Sequence, residues 1–323
     1  MSAGGLGFWG VDYNGQERAL PSPASWTLTR SFDSPADSFE GSFPWEQWYP
    51  ELYTLRVRRG EALLFEGGID ETACTLDGRG RWMRVLARSA GAALLDNEAL
   101  PQLELDRTLN QMFQEHIAPF GVTQLVTDVG EDAFLNQYQI GKGTSEWEAF
   151  TNFVRLTGLA IPHLDGQGRM VCLNQLPQGA VHTFSNQGTG QRYSGLKVVN
   201  NRYSPVSQFV IRDQQGYYSY TFNNPHNAQL KLQRRRYLIP SPSFSGSATG
   251  GRIDADLLVR RSMLGKQVIT LTLPGHLEVA VGDRANLATP TQDYLDRFIY
   301  QVRLQLSEEG ATTALTLLDR DFI

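Results

Sequence analysis

Apolar and polar residues alternate along the first ninety positions of the chain with the period of half-buried strands. Ser25-Trp26-Thr27-Leu28-Thr29-Arg30-Ser31-Phe32 carries its large apolar groups at every second position. The turn-rich Asp33–Asp37 precedes a second run, Ser38–Phe43, and Leu52–Arg58 repeats the pattern at Tyr53, Leu55 and Val57. Arg59-Gly60-Glu61 predicts a tight turn into Leu63–Ile69, and Trp82–Arg88 adds a further strand. Five or six short strands joined by glycine turns predict a small barrel or sandwich over residues 1–92.

The period then changes. Leu105, Leu109, Met112, Phe113 and Ile117 fall on one helical face, with Asp106 as the expected cap and Pro119 and Gly121 as the stop. Ser145-Glu146-Trp147-Glu148 has the form of a capping box, placing Trp147, Phe150 and Val154 on one face and Gly158 just past the end. Strand-like pieces flank these helices at 125–127 and 138–140, and Asp165–Gly168 predicts a hairpin into 170–173. Residues 93–178 therefore read as a small α/β domain inserted between two β domains. Strands resume at 195–199, 208–212, 217–222, 230–238, 267–273, 283–287, 298–306 and 313–318, with Glu308-Glu309-Gly310 turning the last pair. A Ser/Pro/Gly loop and a helix from about Asp254 interrupt this second β domain, 179–323, near 240–266. The expected class is α+β, mainly β.

The 323 residues leave room for two or three domains. A net charge of −5 argues against a dedicated nucleic-acid binder, which carries a basic excess. No stretch approaches the ~18 consecutive apolar residues of a membrane span, and the first residues lack the basic and apolar regions of a signal peptide. Cys74 and Cys172 form no C-x-x-C pair, so two buried free thiols are expected rather than a disulfide or a zinc site.

The search for chemistry assigns no catalytic, cofactor or metal residue. His116, His163, His182, His226 and His276 are widely separated; His116 reads as a histidine at the edge of a core and His276 as a solvated turn residue. Gly141-Lys142-Gly143-Thr144-Ser145 lacks the spacing of a phosphate loop and reads as a strand-to-helix turn, and Gly188-Thr189-Gly190 has no helix after it. Glu46, Glu51, Asp128, Glu131 and Asp132 supply carboxylates that a glycosidase would need in pairs, but sequence does not reveal their separation. Phe43, Trp45, Trp48 and Tyr49 read as an interface loop before a sugar platform. Arg234-Arg235-Arg236, the one basic run, suits a ring interface, a lumen wall, a nucleic-acid patch or a solvated strand edge.

Four segments carry a family resemblance. Leu55-Arg56-Val57-Arg58-Arg59-Gly60 with Leu64-Phe65-Glu66-Gly67-Gly68-Ile69 is the first. The second is Ile140 to Phe150, followed by Gly158 and Asp165–Val171. The third is the helix 254–264 leading to Pro274-Gly275-His276, and the fourth the hairpin Tyr300–Leu304 with Gly310–Leu317. In this order they resemble the baseplate hub family of contractile phage tails, which includes the T-even hub, Mu-like and P2-like late tail proteins and the hub of Bacillus defective prophages. The resemblance implies two tail-tube-like barrels per subunit and no catalytic residues. It implies a homotrimer that forms a pseudo-sixfold ring around a channel and joins the hexameric tube to a trimeric spike. Expected partners are the spike, a tail tube or LysM-bearing tube-initiator protein, baseplate wedge proteins and a tape measure protein, with DNA only in transit and no membrane anchor. With the sequence ending at Ile323, the spike is expected to be a separate protein, and assembly is expected in the bacterial cytoplasm before incorporation into the particle. A tail-associated peptidoglycan hydrolase and a cell-wall-binding tail protein are the alternatives.

Overall fold

The computed structural model describes residues 5–45, 51–78, 80–128, 133–158, 161–176, 178–213, 215–226, 231, 233–240 and 248–323. Strands dominate it. The first seven are β1 (Leu6–Asp12), β2 (Glu17–Leu20), β3 (Ser25–Ser31), β4 (Ser38–Pro44), β5 (Leu52–Arg59), β6 (Ala62–Asp77) and β7 (Gly80–Arg88). A mixed segment follows, with α1 (Ala92–Asp96), β8 (Leu103–Thr108), α2 (Leu109–His116), β9 (Leu125–Thr127), β10 (Phe134–Gln139), α3 (Glu146–Leu156), β11 (His163–Leu164) and β12 (Met170–Cys172). The last part holds β13 (Val181–Ser185), β14 (Gly195–Asn200), β15 (Gln208–Arg212), β16 (Tyr218–Asn223), β17 (Arg235–Leu238), α4 (Ala248–Leu264), β18 (Gln267–Pro274), β19 (Arg284–Ala288), β20 (Asp293–Ser307) and β21 (Gly310–Asp319).

Thirteen strands from both ends of the chain form one sheet. Its path runs β14-β18-β21-β20-β3-β4-β7-β6-β5-β1-β2, with β19 on β20 and β13 on β19. The two separate barrels expected from the sequence do not appear as closed units among the described residues. The reason is β20. It pairs with β21 from Arg297 to Ser307, while its other edge takes β19 over Arg284↔Phe298 to Ala288↔Asp293 and then β3 over Ser31↔Gln301 to Trp26↔Leu306. The register shifts between Ile299 and Gln301, where one neighbour gives way to the other, and the Tyr300 carbonyl accepts the Phe32 N–H at 2.9 Å.

The inward residues of these strands share one core. Phe8, Trp26, Leu28, Phe39, Phe43, Leu55 and Val57 pack with Phe184, Ile269, Leu271, Leu287, Val302, Leu304, Leu315 and Leu317. A second core joins α2 and α3 to β9, β10 and β12 through Met112, Phe113, Ile117, Tyr138, Phe150, Phe153 and Cys172. A third sets Val259 and Met263 of α4 against Phe209 and Ile211 of β15 and against Phe322.

Several boundaries differ from the expectation. Helix α2 begins at Leu109, because Thr108 and Gln111 make a reciprocal capping box. Leu105 therefore lies in β8, and Asp106 is no cap but a left-handed residue with φ 49°. Strands β1, β2 and β13, interrupted by glycine or polar residues, lacked a readable alternation. The capping box of α3 and the left-handed Gly158 after it follow the sequence expectation.

Leu28 and Leu304 face each other across the β3–β20 ladder and are almost fully buried. Leu28→Ala should lower stability by about 2–5 kcal/mol. Because the core is common, scanning calorimetry should show a single shifted transition for the β strands of both chain ends; a split in which only one part moves would contradict a shared core.

Candidate assembly surfaces

The outer side of the N-terminal strands is a lattice of cross-strand ion pairs. Glu17 of β2 holds Arg58 (2.9 Å) and Arg56 (3.4 Å) of β5, and Arg56 also meets Glu66 of β6 at 3.0 Å. Arg84 of β7 pairs with Glu40 of β4 at 2.8 Å. Arg88 binds Asp70 and Asp96, each at 2.7 Å. Hydrogen bonding to Arg88 holds the Asp96 carboxyl below the usual range. Each exposed pair contributes little alone, but the lattice fixes strand register and discourages slippage.

Other parts of the surface expose apolar groups or free strand edges. In β8 the alternation is inverted: Leu103 and Leu105 face solvent, while Glu104 is 2% exposed. Phe134 of β10, opposite Thr108, adds a third exposed apolar group to this two-stranded ribbon. On the small sheet β16-β15-β17, Tyr218, Tyr220 and Tyr237 are exposed, and the Tyr218 and Tyr237 rings meet edge-on at 5.0 Å. Strands β14 and β2 end the large sheet, and β14 displays Leu196 and Val199. Strand β6 pairs with β5 only to Gly68 and continues as an arm that pairs with β7 alone, so its far edge from Ile69 to Asp77 meets no strand among the described residues.

The residues singled out in the sequence scatter across this frame. The arginine run lies at the start of β17: Arg234 stacks over Tyr203 at 5.5 Å, Arg235 donates to Gln208 Oε1 at 2.8 Å, and Arg236 is exposed opposite Phe209. Phe43 belongs to the shared core and Trp45 packs against it, so neither offers a sugar platform. Asp128 accepts the Asn174 N–H and Glu51 is exposed beside β5; Glu46, Trp48, Tyr49, Glu131 and Asp132 lie outside the described residues. Gly141–Ser145 forms the turn into α3, where Gly143 donates to Glu98 at 2.6 Å. Gly188 and Gly190 are left-handed turn residues after β13.

Two expectations need correction. Cys74 is exposed, because it sits on the β6 arm beyond the core, while Cys172 is buried in β12 and burial pushes its thiol up to about 12. His276 is half-buried rather than solvated: its ring lies 4.7 Å from Trp26, and its Nε2 bonds the Gln305 carbonyl at 2.9 Å. Of the other histidines, His163 is buried against Phe32 at 4.3 Å, His182 meets Asp283 at 2.8 Å and His226 packs on Phe322. His116 is fully buried and bonds Glu146 at 2.6 Å.

The fold is similar to that of solved phage tail proteins. A tail protein from Neisseria meningitidis superposes with a TM-score of 0.77 at 18% identity, covering 98% of this chain and 97% of its own. The 43 kDa tail protein of prophage MuSo2 from Shewanella oneidensis gives 0.76 at 14% identity, with 98% of each chain covered. An Escherichia coli component of the type VI secretion system, described as structurally similar to the T4 bacteriophage tail proteins gp27 and gp5, gives 0.58 at 9% identity over 92% of this chain and 73% of its own. No family model and no curated protein matches the chain. The hub-family resemblance carried by residues 55–69, 140–171, 254–276 and 300–317 agrees with these neighbours. No helix among the described residues is long and apolar enough to cross a membrane.

Two solution measurements follow. A thiol reagent should modify one cysteine per native chain, Cys74, and two after denaturation; Cys74→Ser should remove the native reaction. Burial lowers the affinity of His163 and His276 for a proton. The unfolded chain then binds more protons below the ordinary imidazole value of 6.5, so stability should be full above that pH and fall as pH drops below it. His163→Gln should flatten the fall in melting temperature across that window; an unchanged slope would contradict a neutral buried imidazole.

Proposed function

We propose that the chain is a structural hub of a phage or phage-like tail baseplate, working as a homotrimer. The observation that carries this reading is the match of nearly its entire length to two tail proteins that it covers almost completely. The likeness to a secretion-system component related in structure to T4 gp27 and gp5 supports a position between tube and spike. In this reading the strands from the two ends of the chain act as two barrel-like, tube-style halves, and residues 93–178 form an inserted unit with its own core. Three subunits then present six halves as a pseudo-sixfold ring. The unpaired edges and the exposed apolar ribbon supply contacts between neighbours, and a trimeric spike, a tube protein and wedge proteins cover the remaining faces.

The function is geometric rather than catalytic, and no residue is assigned a catalytic role. The purified chain should run as a species about three times the 36.1 kDa of one chain in size-exclusion chromatography with light scattering. A stable monomer at micromolar concentration would overturn the trimeric hub. Clearing of a peptidoglycan gel by the purified chain would favour the hydrolase instead.

A further inference from the structure

The inverted strand β8 turns an acid into the inserted α/β unit, and the groups around it are organised for more than an ion pair. Glu104 is 2% exposed. One carboxylate oxygen from Glu104, one from Glu115 and one ring nitrogen of His116 lie within 4.8 Å of one another. Glu115 and His116 occupy the last turn of α2, and Glu104 reaches them from β8. His116 is 2% exposed and spends Nδ1 on Glu146 Oε2 of α3 at 2.6 Å. Its Nε2 is buried and makes no hydrogen bond among the described residues.

An orphaned imidazole nitrogen in a protein interior is costly, because its water partner is lost without replacement. A carboxylate on the opposite ring nitrogen fixes the Nδ1–H tautomer and leaves the Nε2 lone pair available, which is how metal-bound histidines are oriented. We infer that Glu104, Glu115 and His116 form a binding site for a first-row divalent cation of the Zn2+ class, with Glu146 positioning the imidazole.

The donor set of one imidazole and two carboxylates suits Zn2+, and a solvent molecule completes four-coordination on the side of half-exposed Glu115. Tetrahedral donors around Zn2+ stand about 3.3 Å apart, so the three groups must draw together. Glu115, at the rim, is the one free to swing. Arg107 provides the compensating charge in the structure: its Nε donates to Glu104, and its Nη2 lies 3.4 Å from Glu115. Gln102 also donates to Glu104. Cation binding takes over the neutralisation and releases the guanidinium, which is already 30% exposed, toward solvent. The cation then ties β8 and α2 directly, and α3 through Glu146, in place of the Arg107 bridge. The inference stands whether or not the chain is a hub.

The test uses the full-length, untagged chain, stripped with a chelator and titrated with Zn2+ by calorimetry and with Co2+ by visible absorption. One Zn2+ per chain should bind at micromolar concentration, and Co2+ should show ligand-field bands that Zn2+ abolishes. Glu104→Gln and Glu115→Gln should each weaken binding by at least about tenfold, and Glu146→Gln by about 10–100-fold, as for other outer carboxylates on metal-bound histidines. Glu115→Gln is the deciding variant because its half-exposed side chain is not needed for folding. Binding that this variant leaves unchanged, or no saturable binding by the native chain, would overturn the site and leave Arg107 as the sole counter-ion.

Discussion

The structure depends on one ladder, the antiparallel pairing of β3 with the second half of β20. It joins Trp26–Ser31 to Gln301–Leu306, residues some 270 positions apart along the chain. Without it the N-terminal strands β1–β7 and the C-terminal strands β18–β21 would each expose an edge and half a core. With it, Leu28 and Leu304 are sealed from water, and each large side chain buried there contributes about 1.5–3 kcal/mol. The bulge at Tyr300 makes the ladder possible, because one long strand can serve β19 and then β3 along the same edge.

The surface divides by chemistry. Where the outer face carries Arg56, Arg58, Arg84 and Arg88, each guanidinium is met by a carboxylate on another strand of the same sheet, so that face is already satisfied. The leucines of β8 and the tyrosines of β16 and β17 are exposed, and the far edge of the β6 arm pairs with no strand among the described residues. Exposed apolar groups and unpaired strand edges of this kind are the features through which a surface makes contacts.

Much of the fold was legible in the sequence where a strand has one wet face and one dry face. Strands β3, β4, β5 and β7 show this alternation directly, and the Ser145–Glu148 box announces α3. The reading failed where side-chain pattern and backbone disagree. Leu105 sits at helical spacing from Leu109, yet Asp106 turns the chain left-handed between them, so an exposed strand residue was assigned to a buried helix face. His276 looked like a turn residue because its partner Trp26 lies 250 positions away. The continuity of the sheet was invisible for the same reason: nothing local in β3 names β20 as its neighbour. Of the surfaces, the arginine run was visible, whereas the inverted polarity of Leu103-Glu104-Leu105 has meaning only once Glu104 is seen to point at His116.

The long reach of the β3–β20 ladder also sets a schedule. The ribosome releases β3 some 270 residues before its partner strand, so the edge of β3 and the apolar face of Leu28 must wait for that length of chain to be made. Loop closure over that distance makes joining the two ends a late, slow event. Surfaces that combine β3 with β20 come into existence only once β20 has been made. A chain truncated before β20 therefore lacks the joined sheet altogether, and every surface built on that sheet with it.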